Sequence, residues 1–554
     1  MSLRPHDFRI IPDDTARVAR AAFPKGNRYL TLRDELGVIY EDSVFATLFD
    51  TSQGRPAESP GCLALVTVLQ FAENLSDRQA ADAVRARLDW KYLLALELTD
   101  PGFDYTLLHE FRQRVLANGA ERQLLDVVLE LFKARKLLKA RGRQRTDSTH
   151  VLAGIRDLNR LELAGETMRH ALDSLAVVIP DQLREQVPLA WFDRYGQPFS
   201  DWRLPKSQEE RTTLAETIGR DGLQLFQILR ESAGWSWLRT IPAVETMRQV
   251  WIQQYCVEEG NVHWRKDDDS PPARQRIVSP YDPDARYATK RTTHWKGYKV
   301  HLTETCEADL PLLITNVETT SSGTQDYAVT DPIHQHLDEK GLLPAEHLLD
   351  AGYVDARNLV ESQTGYGVDL IGPALPDHSW QAKAGLGFAL SCFAIDWEQQ
   401  IVICPQGKAS VSWCPHNDEQ GEPRIFVKFA ASDCRQCPTR VQCVRSSTNP
   451  RSLAFRPREQ YMALQNARQR QETDEFKQVY ASRAGIEGTL SQGIRGFDLR
   501  QCRYIGLAKT HLQHILTATA MNLMRTADWL QHVPRAATRR SRFLALAPAA
   551  NVGC

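Results

Sequence analysis

The chain has 554 residues, 42% of them hydrophobic and 25% charged, and its formal net charge is −1. This length exceeds what one compact core holds, so two to four domains are expected, and the composition excludes a disordered or fibrous protein. The near-zero net charge hides an uneven distribution, because residues 434–554 carry 19 Lys and Arg against 7 Asp and Glu. Such a basic region can face a polyanion, although an ordinary basic tail has the same composition.

The sequence predicts a cytoplasmic protein. No hydrophobic run reaches the roughly 18–20 residues that span a bilayer, so no membrane partner is expected. The first residues carry no apolar stretch after their charges, which argues against a secretory signal. Eleven cysteines scattered along so long a chain do not resemble a secreted disulfide framework.

Residues 1–140 predict an all-helical domain of short helices joined by tight turns. Ser59 and Pro60 open one helix, Ser76 and Gln79 form a capping-box pattern, and Thr106 is expected to cap another helix. A longer helix with an apolar stripe follows over about residues 121–139. This layout is common in DNA-binding domains and equally common in helical domains without DNA, and periodicity does not separate them.

Residues 141–380 predict the first part of an α/β core. A strand runs around Asp147, and a helical insertion, rich in tryptophans that we expect in its core, covers residues 156–275. The remaining elements are strands at 293–304 and 310–319, a helix at 325–340, a strand ending at Asp350, a helix from about 355 and a strand at 368–372. This order fits a layered α/β architecture with insertions.

Three carboxylates are candidate metal ligands. Asp147 lies on the first strand, Asp350 at the end of a later strand and Glu487 on a late helix. Groups at the ends of strands in an open sheet meet in one crevice, where three carboxylates repel one another unless a divalent cation neutralises them. Mg²⁺ prefers such oxygen ligands, and two ions can activate a water or a 3′-hydroxyl at a phosphodiester. Each acid alone is a weak signal.

The stretch around Glu487 has a helical spacing. Tyr480, Arg483 and Glu487 stand at i, i+3 and i+7 and are predicted to share one face of a helix. A phenol, a guanidinium and a carboxylate suit a metal and a phosphate backbone. The competing interpretation is a solvated face with weak ion pairs.

Taken in order, these motifs resemble bacterial insertion-sequence transposases of the DDE class, closest to the IS1182 group. The resemblance rests on Arg-Thr-Asp147-Ser-Thr-His, on Tyr281-Asp-Pro-Asp-Ala-Arg with the later Gly-Tyr-Lys-Val-His, on Leu-Asp350-Ala-Gly-Tyr, and on the Tyr480/Arg483/Glu487 signature. It covers nearly the whole chain. It implies an RNase H-like mixed-sheet catalytic core behind a helical N-terminal DNA-binding domain.

The resemblance also implies roles for single residues. Asp147, Asp350 and Glu487 would be the catalytic ligands of Mg²⁺ or Mn²⁺, with Tyr480 and Arg483 supporting them and contacting DNA. The family's basic residue often falls seven positions after the Glu, where this chain has Ile494, and Arg495 is the nearest cation. Arg500 and Arg503 complete the expected phosphate contacts.

A cysteine cluster lies in residues 381–455, which predict a small zinc-ribbon-like insertion. The C-x₂-C pair Cys434 and Cys437, with Cys404 and Cys443, forms the preferred structural Zn²⁺ set. Cys414 or His416 are substitutes. Two alternatives stay open, namely reduced thiols in a β-rich insert and ligands lost from an ancestral site.

The second part of the core is expected at residues 456–530, ending in a helix packed on the sheet, and a flexible basic tail at 531–554. The predicted function is metal-dependent cleavage and strand transfer at the ends of the chain's own insertion sequence. The expected partners are double-stranded DNA of the terminal repeats and target, and a second copy in a homodimer, near the bacterial nucleoid. The alternatives are a catalytically silent DNA-binding descendant and a nuclease of the same core without strand transfer.

Overall fold

The computed structural model describes residues 9–49, 57–231, 236–385, 387–419 and 421–535. The chain divides into two units, one made of residues 1–137, 309–313 and 516–554 and the other of residues 138–308 and 314–515. Residues 536–554 of the tail predicted at 531–554 lie outside the described residues, as does Trp235 of the insertion. No helix among the described residues is long and apolar enough to cross a membrane.

Short helices build the N-terminal part of the first unit. In chain order they are α1 (Asp13–Ala22), α2 (Arg28–Leu36), α3 (Pro60–Ala72), α4 (Asp77–Ala86), α5 (Leu88–Leu93), α6 (Thr106–Ala117) and α7 (Gln123–Ala134). Fully buried aromatic side chains, among them Phe45, Trp90 and Phe132, form the core of this unit. Burial of such large apolar surfaces is the main stabilising contribution to a bundle of helices this short.

Side-chain caps define the helix ends much as the sequence indicates. Ser59 caps α3, with Pro60 at its first position, and Ser76 and Gln79 form the predicted capping box of α4. The prediction that Thr106 caps α6 was wrong. Asp104 accepts hydrogen bonds from both the backbone N–H and the hydroxyl of Thr106, because a carboxylate two residues upstream is the stronger acceptor.

The second unit alternates strands and helices. Its first elements are β1 (Arg143–Leu152), α8 (Arg160–Val178), α9 (Pro180–Gln186), α10 (Leu189–Tyr195), α11 (Gln208–Glu231), α12 (Pro242–Gln254), β2 (Tyr255–Glu258), β3 (Asn261–Trp264), β4 (Arg286–Lys290), β5 (Thr293–Thr305), β6 (Ile314–Ser321), α13 (Thr330–Glu339), β7 (Glu346–Leu348), α14 (Ala356–Tyr366) and β8 (Asp369–Ile371). The predicted strands and helices of the core are therefore confirmed. The predicted strand at 310–319 begins later, at Ile314, which leaves Pro311 outside it.

The main sheet is mixed. β1 pairs antiparallel with β5 from Gln144–Thr305 to Leu152–Gly297, and the far edge of β5 pairs antiparallel with β4 near its start and with β6 along the rest. On the other side, β7 pairs parallel with β1, and β8 pairs parallel with β7. β1 therefore lies at the centre of the sheet, between an antiparallel half and a parallel half.

The insertion between β1 and β4 consists of helices and one short β-hairpin. Its five helices α8–α12 share a core, but the hairpin β2–β3 closes it, which the sequence analysis missed. Trp191 and Trp251 are buried in that core, as expected, whereas Trp202 and Trp237 are exposed. The hairpin signal is weak because its turn residues are Glu259 and Gly260 and its strands have four residues each.

The rest of the chain holds the cysteine cluster and the last helices, and the final helix belongs to the second unit up to residue 515 and to the first unit from residue 516. These elements are α15 (Trp380–Ala384), β9 (Ala394–Asp396), β10 (Ile401–Ile403), β11 (Ser410–Asn417), β12 (Pro423–Phe429), α16 (Ala431–Arg435), α17 (Arg440–Cys443), β13 (Ser452–Phe455), α18 (Arg458–Arg470), α19 (Asp474–Ala481), α20 (Gly485–Gly496) and α21 (Leu507–Leu530). Strands β11, β12 and β13 form an antiparallel sheet over a core of Phe393, Val427 and Phe455.

A buried polar chain runs beneath β1. The Thr146 hydroxyl lies 2.7 Å from Thr303 Oγ1 and 2.7 Å from His347 Nε2, and His347 Nδ1 lies 2.9 Å from His334 Nε2. Burial lowers the pKa of His334 to about 4, and it lowers the pKa of His301, on β5, to about 4 as well. Both imidazoles are therefore neutral in the folded protein at neutral pH.

We expect acidification to destabilise this unit before its carboxylates are fully protonated. An unfolded histidine takes up a proton near pH 6.5, whereas folded His334 does so only near pH 4, so stability is lost as pH falls between these values. The loss is on the order of 3 kcal/mol for one fully buried histidine. Thermal unfolding at pH 7 and pH 4.5 would measure it. The variant His334→Gln should lose less stability on acidification than wild type, and equal losses would contradict the assignment.

Candidate active site

Strand register brings the two predicted aspartates together. The last parallel pair between β1 and β7 is Arg145 with Leu348. Asp147 and Asp350 each stand two residues beyond that pair, so they lie level with each other where β7 ends and β1 continues. Asp350 Oδ1 accepts the backbone N–H of Gly352 at 2.8 Å, which fixes the turn that follows β7. The expectation of a shared crevice is thus met, although Asp147 lies within a long strand rather than at its end.

The segment 482–500 lies along one face of β1. Alternate residues of a strand share a face, and here Arg145, Asp147 and Thr149 do so. Arg145 donates a hydrogen bond to the Ser482 carbonyl, Asp147 pairs with Arg483, and Thr149 Oγ1 accepts from Arg500 Nε at 2.9 Å. These contacts place α20, and therefore Glu487, beside the two aspartates.

Arg483 stands among the three carboxylates. Its Nη2 is 2.6 Å from Asp147 Oδ2 and 3.9 Å from Asp350 Oδ2, and its Nη1 is 3.5 Å from Glu487 Oε1. The Arg483 side chain is 14% exposed, whereas that of Glu487 is 69% exposed. Within the described residues, Arg483 Nε is buried and has no hydrogen-bond partner. The guanidinium therefore neutralises part of the charge of this acidic cluster.

The prediction of one helix carrying Tyr480, Arg483 and Glu487 was wrong in detail. Tyr480 ends α19, Arg483 lies in a 3₁₀ turn over Ser482–Ala484, and Glu487 begins α20. The turn is continuous helical backbone, so Arg483 and Glu487 still face the same side. Tightening at this point follows from the anchoring of the Ser482 carbonyl by Arg145, which draws the turn onto β1.

Burial changes the electrostatics of the cluster. It raises the pKa of Asp147, with Arg483 and the Ser148 N–H opposing that rise and Asp350 adding to it. Burial also raises the pKa of Tyr480, whose ring stacks on Phe476 with centroids 5.3 Å apart. The tyrosine is therefore a neutral phenol that supports the turn from the side of β7 and β8.

A second, deeper ion pair holds the turn in place, and sequence reasoning missed it. Arg145 Nη2 lies 2.6 Å from Glu304 Oε1, and Glu304, whose side chain is fully buried, accepts from Thr489 Oγ1 at 2.5 Å. A Cβ at Gly485 would overlap the Arg145 guanidinium, so a side chain there would displace Arg145 from its present contacts. The available signal was the period of two that puts Arg145 on the face of Asp147, but its partner is distant in sequence.

A groove of about 910 Å³ opens from the acidic cluster. Its lining includes Asp147, Asp350, Arg483 and Glu487, together with the cations Arg274, Lys290, Arg291 and Arg500. Lys290 and Arg291 are exposed at the turn between β4 and β5, where Arg291 has a φ of 57°. Neither forms an ion pair with any other described residue. The sequence analysis did not single out these two cations.

The other residues predicted to bind DNA are placed differently. Arg495 is exposed on α20, and Arg503 is half-buried with its backbone N–H bonded to Gln513 Oε1 at 2.8 Å. Neither lines the groove, and nor does Tyr480. His150 lines it but packs against Trp295, with ring centroids 5.4 Å apart, and Trp295 is buried in the sheet.

The four predicted zinc ligands, Cys404, Cys434, Cys437 and Cys443, line a separate cavity of about 260 Å³. Backbone N–H groups of Lys408 and Arg451 lie 3.4 and 3.5 Å from the sulfurs of Cys404 and Cys434. Burial raises the pKa of Cys443, and the neighbouring thiols add to that rise. The substitutes Cys414 and His416 are exposed on β11 and do not line the cavity.

The side chains of the acidic cluster are of a kind that binds metal ions, but their arrangement does not form a metal site. Three carboxylates are the ligands that Mg²⁺ and Mn²⁺ prefer. As arranged, however, no group of three or more His, Cys, Asp or Glu side chains within the described residues is placed to hold a metal ion. At the acidic cluster, the guanidinium of Arg483 stands within 4 Å of all three carboxylates.

Two protein-family models match parts of the chain. The model described as a transposase DDE domain matches residues 403–527, and the model described as a transposase domain (DUF772) matches residues 17–114. Glu487 and the segment that contacts β1 lie inside the first match, whereas Asp147 and Asp350 lie outside both. Comparison with curated proteins finds no match. Comparison with solved structures finds none either.

Proposed function

We propose that this chain, whose two matched domains indicate a DDE transposase of insertion sequences, carries out two reactions on DNA. It cleaves DNA at the ends of its own insertion sequence and joins the freed 3′ ends to target DNA. The observation that carries the proposal is the meeting of Asp147, Asp350 and Glu487 around Arg483 at the mouth of a cation-lined groove. Membership of the IS1182 group is part of the proposal and rests on the sequence resemblance.

The topology supports an RNase H-like core. In such a core, as the resemblance implies it, Asp147 on the first strand, Asp350 at the end of a later strand and Glu487 on a late helix form the catalytic set. Here β1 is central, β7 is parallel to it, and α20 carries Glu487. The domain boundaries set out from the sequence, including a cysteine-rich insertion at 381–455, belong to the same proposal.

Each acidic residue has a distinct setting in the proposed reaction. Asp147 is buried on β1 and Asp350 is fixed by its turn, so both would supply rigid ligands, and the exposed Glu487 would complete the set from α20. When bound, two Mg²⁺ or Mn²⁺ ions would neutralise these acids, activate the attacking water or hydroxyl and stabilise the leaving oxygen. The Arg145–Glu304 pair positions α20 by holding the 482–485 turn against β1.

The groove supports a DNA strand as substrate. Its wall carries four cations beside the carboxylates, namely Arg274, Lys290, Arg291 and Arg500. Phosphate contacts from such cations supply most of the non-specific affinity of proteins for DNA. Arg495 and Arg503, outside the groove, would contact DNA beyond the reacting phosphate. The helical N-terminal domain would bind the terminal repeats, and a homodimer would hold two ends together.

Removing the two cations at the β4–β5 turn is expected to weaken DNA binding without changing its sequence preference. The double variant Lys290→Gln/Arg291→Gln should lower the slope of log K against log salt by about 2, since each phosphate contact contributes about 0.9. Fluorescence anisotropy with a labelled duplex over a salt series measures that slope. A matched control is Lys383→Gln/Lys408→Gln, two lysines away from the groove. An unchanged slope in Lys290→Gln/Arg291→Gln would show that these two residues do not contact the DNA.

Structural zinc at Cys404, Cys434, Cys437 and Cys443 is a further part of the proposal. It is supported by the shared cavity and by the backbone N–H groups near two of the sulfurs, an environment that suits thiolates. The four side chains would have to draw closer to bind a tetrahedral ion. The site would then stabilise the segment that precedes α18 rather than take part in the chemistry.

The test of the proposed function is cleavage of a labelled duplex that carries the DNA flanking this gene, with and without Mg²⁺ or Mn²⁺. Metal-dependent cuts at the element ends, followed by joining to a second duplex, are the expected result. Cuts without joined products would indicate a nuclease of the same core. Tight binding without cuts would indicate a catalytically silent DNA-binding protein.

A further inference from the structure

The central feature of the acidic cluster is a cation supplied by the chain itself. Arg483 is within 4 Å of all three carboxylates, and its closest contact is the 2.6 Å pair with Asp147. Three carboxylates this close repel one another, so a positive charge among them is strongly stabilised. Arg483 contacts one oxygen of each carboxylate, and carboxylate oxygens are also the ligands that a divalent ion prefers.

We propose that Arg483 competes with the divalent metal for the three carboxylates and that DNA phosphates draw it out of the cluster. The inference rests on the proposed function. The inference adds an order of binding, because the metal ions can then bind fully only after DNA has entered the groove. Metal-dependent chemistry would be suppressed in the free protein and permitted on the substrate.

Three observations support a side chain that can leave. Arg483 lies in a short 3₁₀ turn between two helices rather than inside a helix. Its Nε is buried and has no hydrogen-bond partner among the described residues, so the guanidinium is not fully satisfied where it stands. The groove beside it has other cations on its wall, so a bound phosphate backbone would pass within reach of a long, flexible side chain.

The backbone of the turn does not have to move with the side chain. Arg145 and Glu304 hold Ser482 and α20 against β1 independently of Arg483. Glu487 therefore stays near the aspartates when the guanidinium swings away. The proposal therefore requires only that the Arg483 side chain changes position, while Arg145 keeps the backbone in place.

The first experiment measures Mn²⁺ affinity of the full chain without DNA, from the loss of the free-Mn²⁺ paramagnetic resonance signal. If the state with Arg483 withdrawn is populated at about a tenth or less, Arg483→Gln should bind Mn²⁺ at least about tenfold more tightly than wild type. Arg458→Gln is the matched control, because it makes the same chemical change at an exposed arginine on α18 that does not line the groove. Its affinity should stay within about twofold of wild type. The gain should vanish in Arg483→Gln/Asp147→Asn.

The second experiment uses only wild type and so does not depend on the folding of a variant. Saturating the protein with a 20-base-pair duplex should raise its Mn²⁺ affinity, after subtraction of Mn²⁺ bound by the duplex alone. Equal Mn²⁺ affinities of wild type and Arg483→Gln, with no gain in affinity on DNA, would overturn the competition. The proposed function would remain intact in that case if Asp147→Asn abolishes Mn²⁺ binding. Absence of Mn²⁺ binding in every state would overturn both.

Discussion

The variant Glu487→Gln is expected to lose metal-dependent cleavage at the element ends by on the order of 10³-fold or more, because it removes one ligand charge of a two-metal site. Glu487 is 69% exposed and its contact with Arg483 is 3.5 Å long, so the substitution should leave the fold unchanged. Gel assays of labelled end DNA, alongside thermal melting of both proteins, separate chemistry from folding.

The matched control for that prediction is Glu475→Gln. Glu475 is an exposed acid on α19, one helix before Glu487, and it does not line the groove. The chemical change is identical, so cleavage should stay at the wild-type level. Retained cleavage in Glu487→Gln would remove the late acid from the mechanism, and the resemblance that assigned its role would then fail at its most specific position.

Arg145→Leu is expected to destabilise the sheet-containing unit by about 3–5 kcal/mol, because it leaves the fully buried Glu304 carboxylate without its cation. Cleavage should fall as well, since the 482–485 turn and α20 lose their anchor on β1. Hydrogen exchange of β1 and β5 amides, together with thermal unfolding, reports the loss within this unit even if the two units unfold separately.

Two comparisons make the Arg145 prediction specific. Arg143→Leu is the same change on the same strand, but its pair with Glu346 is about one-third exposed and should contribute less than about 1 kcal/mol. The double variant Arg145→Leu/Glu304→Leu should recover much of the stability lost by Arg145→Leu, because no buried charge remains. Similar losses in Arg143→Leu and Arg145→Leu would contradict the role of burial.

Some of the site was predictable because it depends on local patterns. The strands around Asp147 and Asp350 follow from β-branched and apolar runs, and the capping residues follow from short-range hydrogen bonding. The three acids were singled out because the ordered motifs that contain them resemble those of one family. None of this required knowledge of which residues touch.

The sequence by itself therefore determined the alternation of strands and helices and the resemblance to transposases, and it made the three acids candidates for the site. Only the tertiary structure decided that Asp147 and Asp350 lie level, because that depends on the register of β1 against β7. It also decided that Arg483 stands among the acids and that Arg145 finds Glu304, 159 residues away. Ion pairs between distant segments have no periodic signature, since the folded sheet alone brings their charges within range.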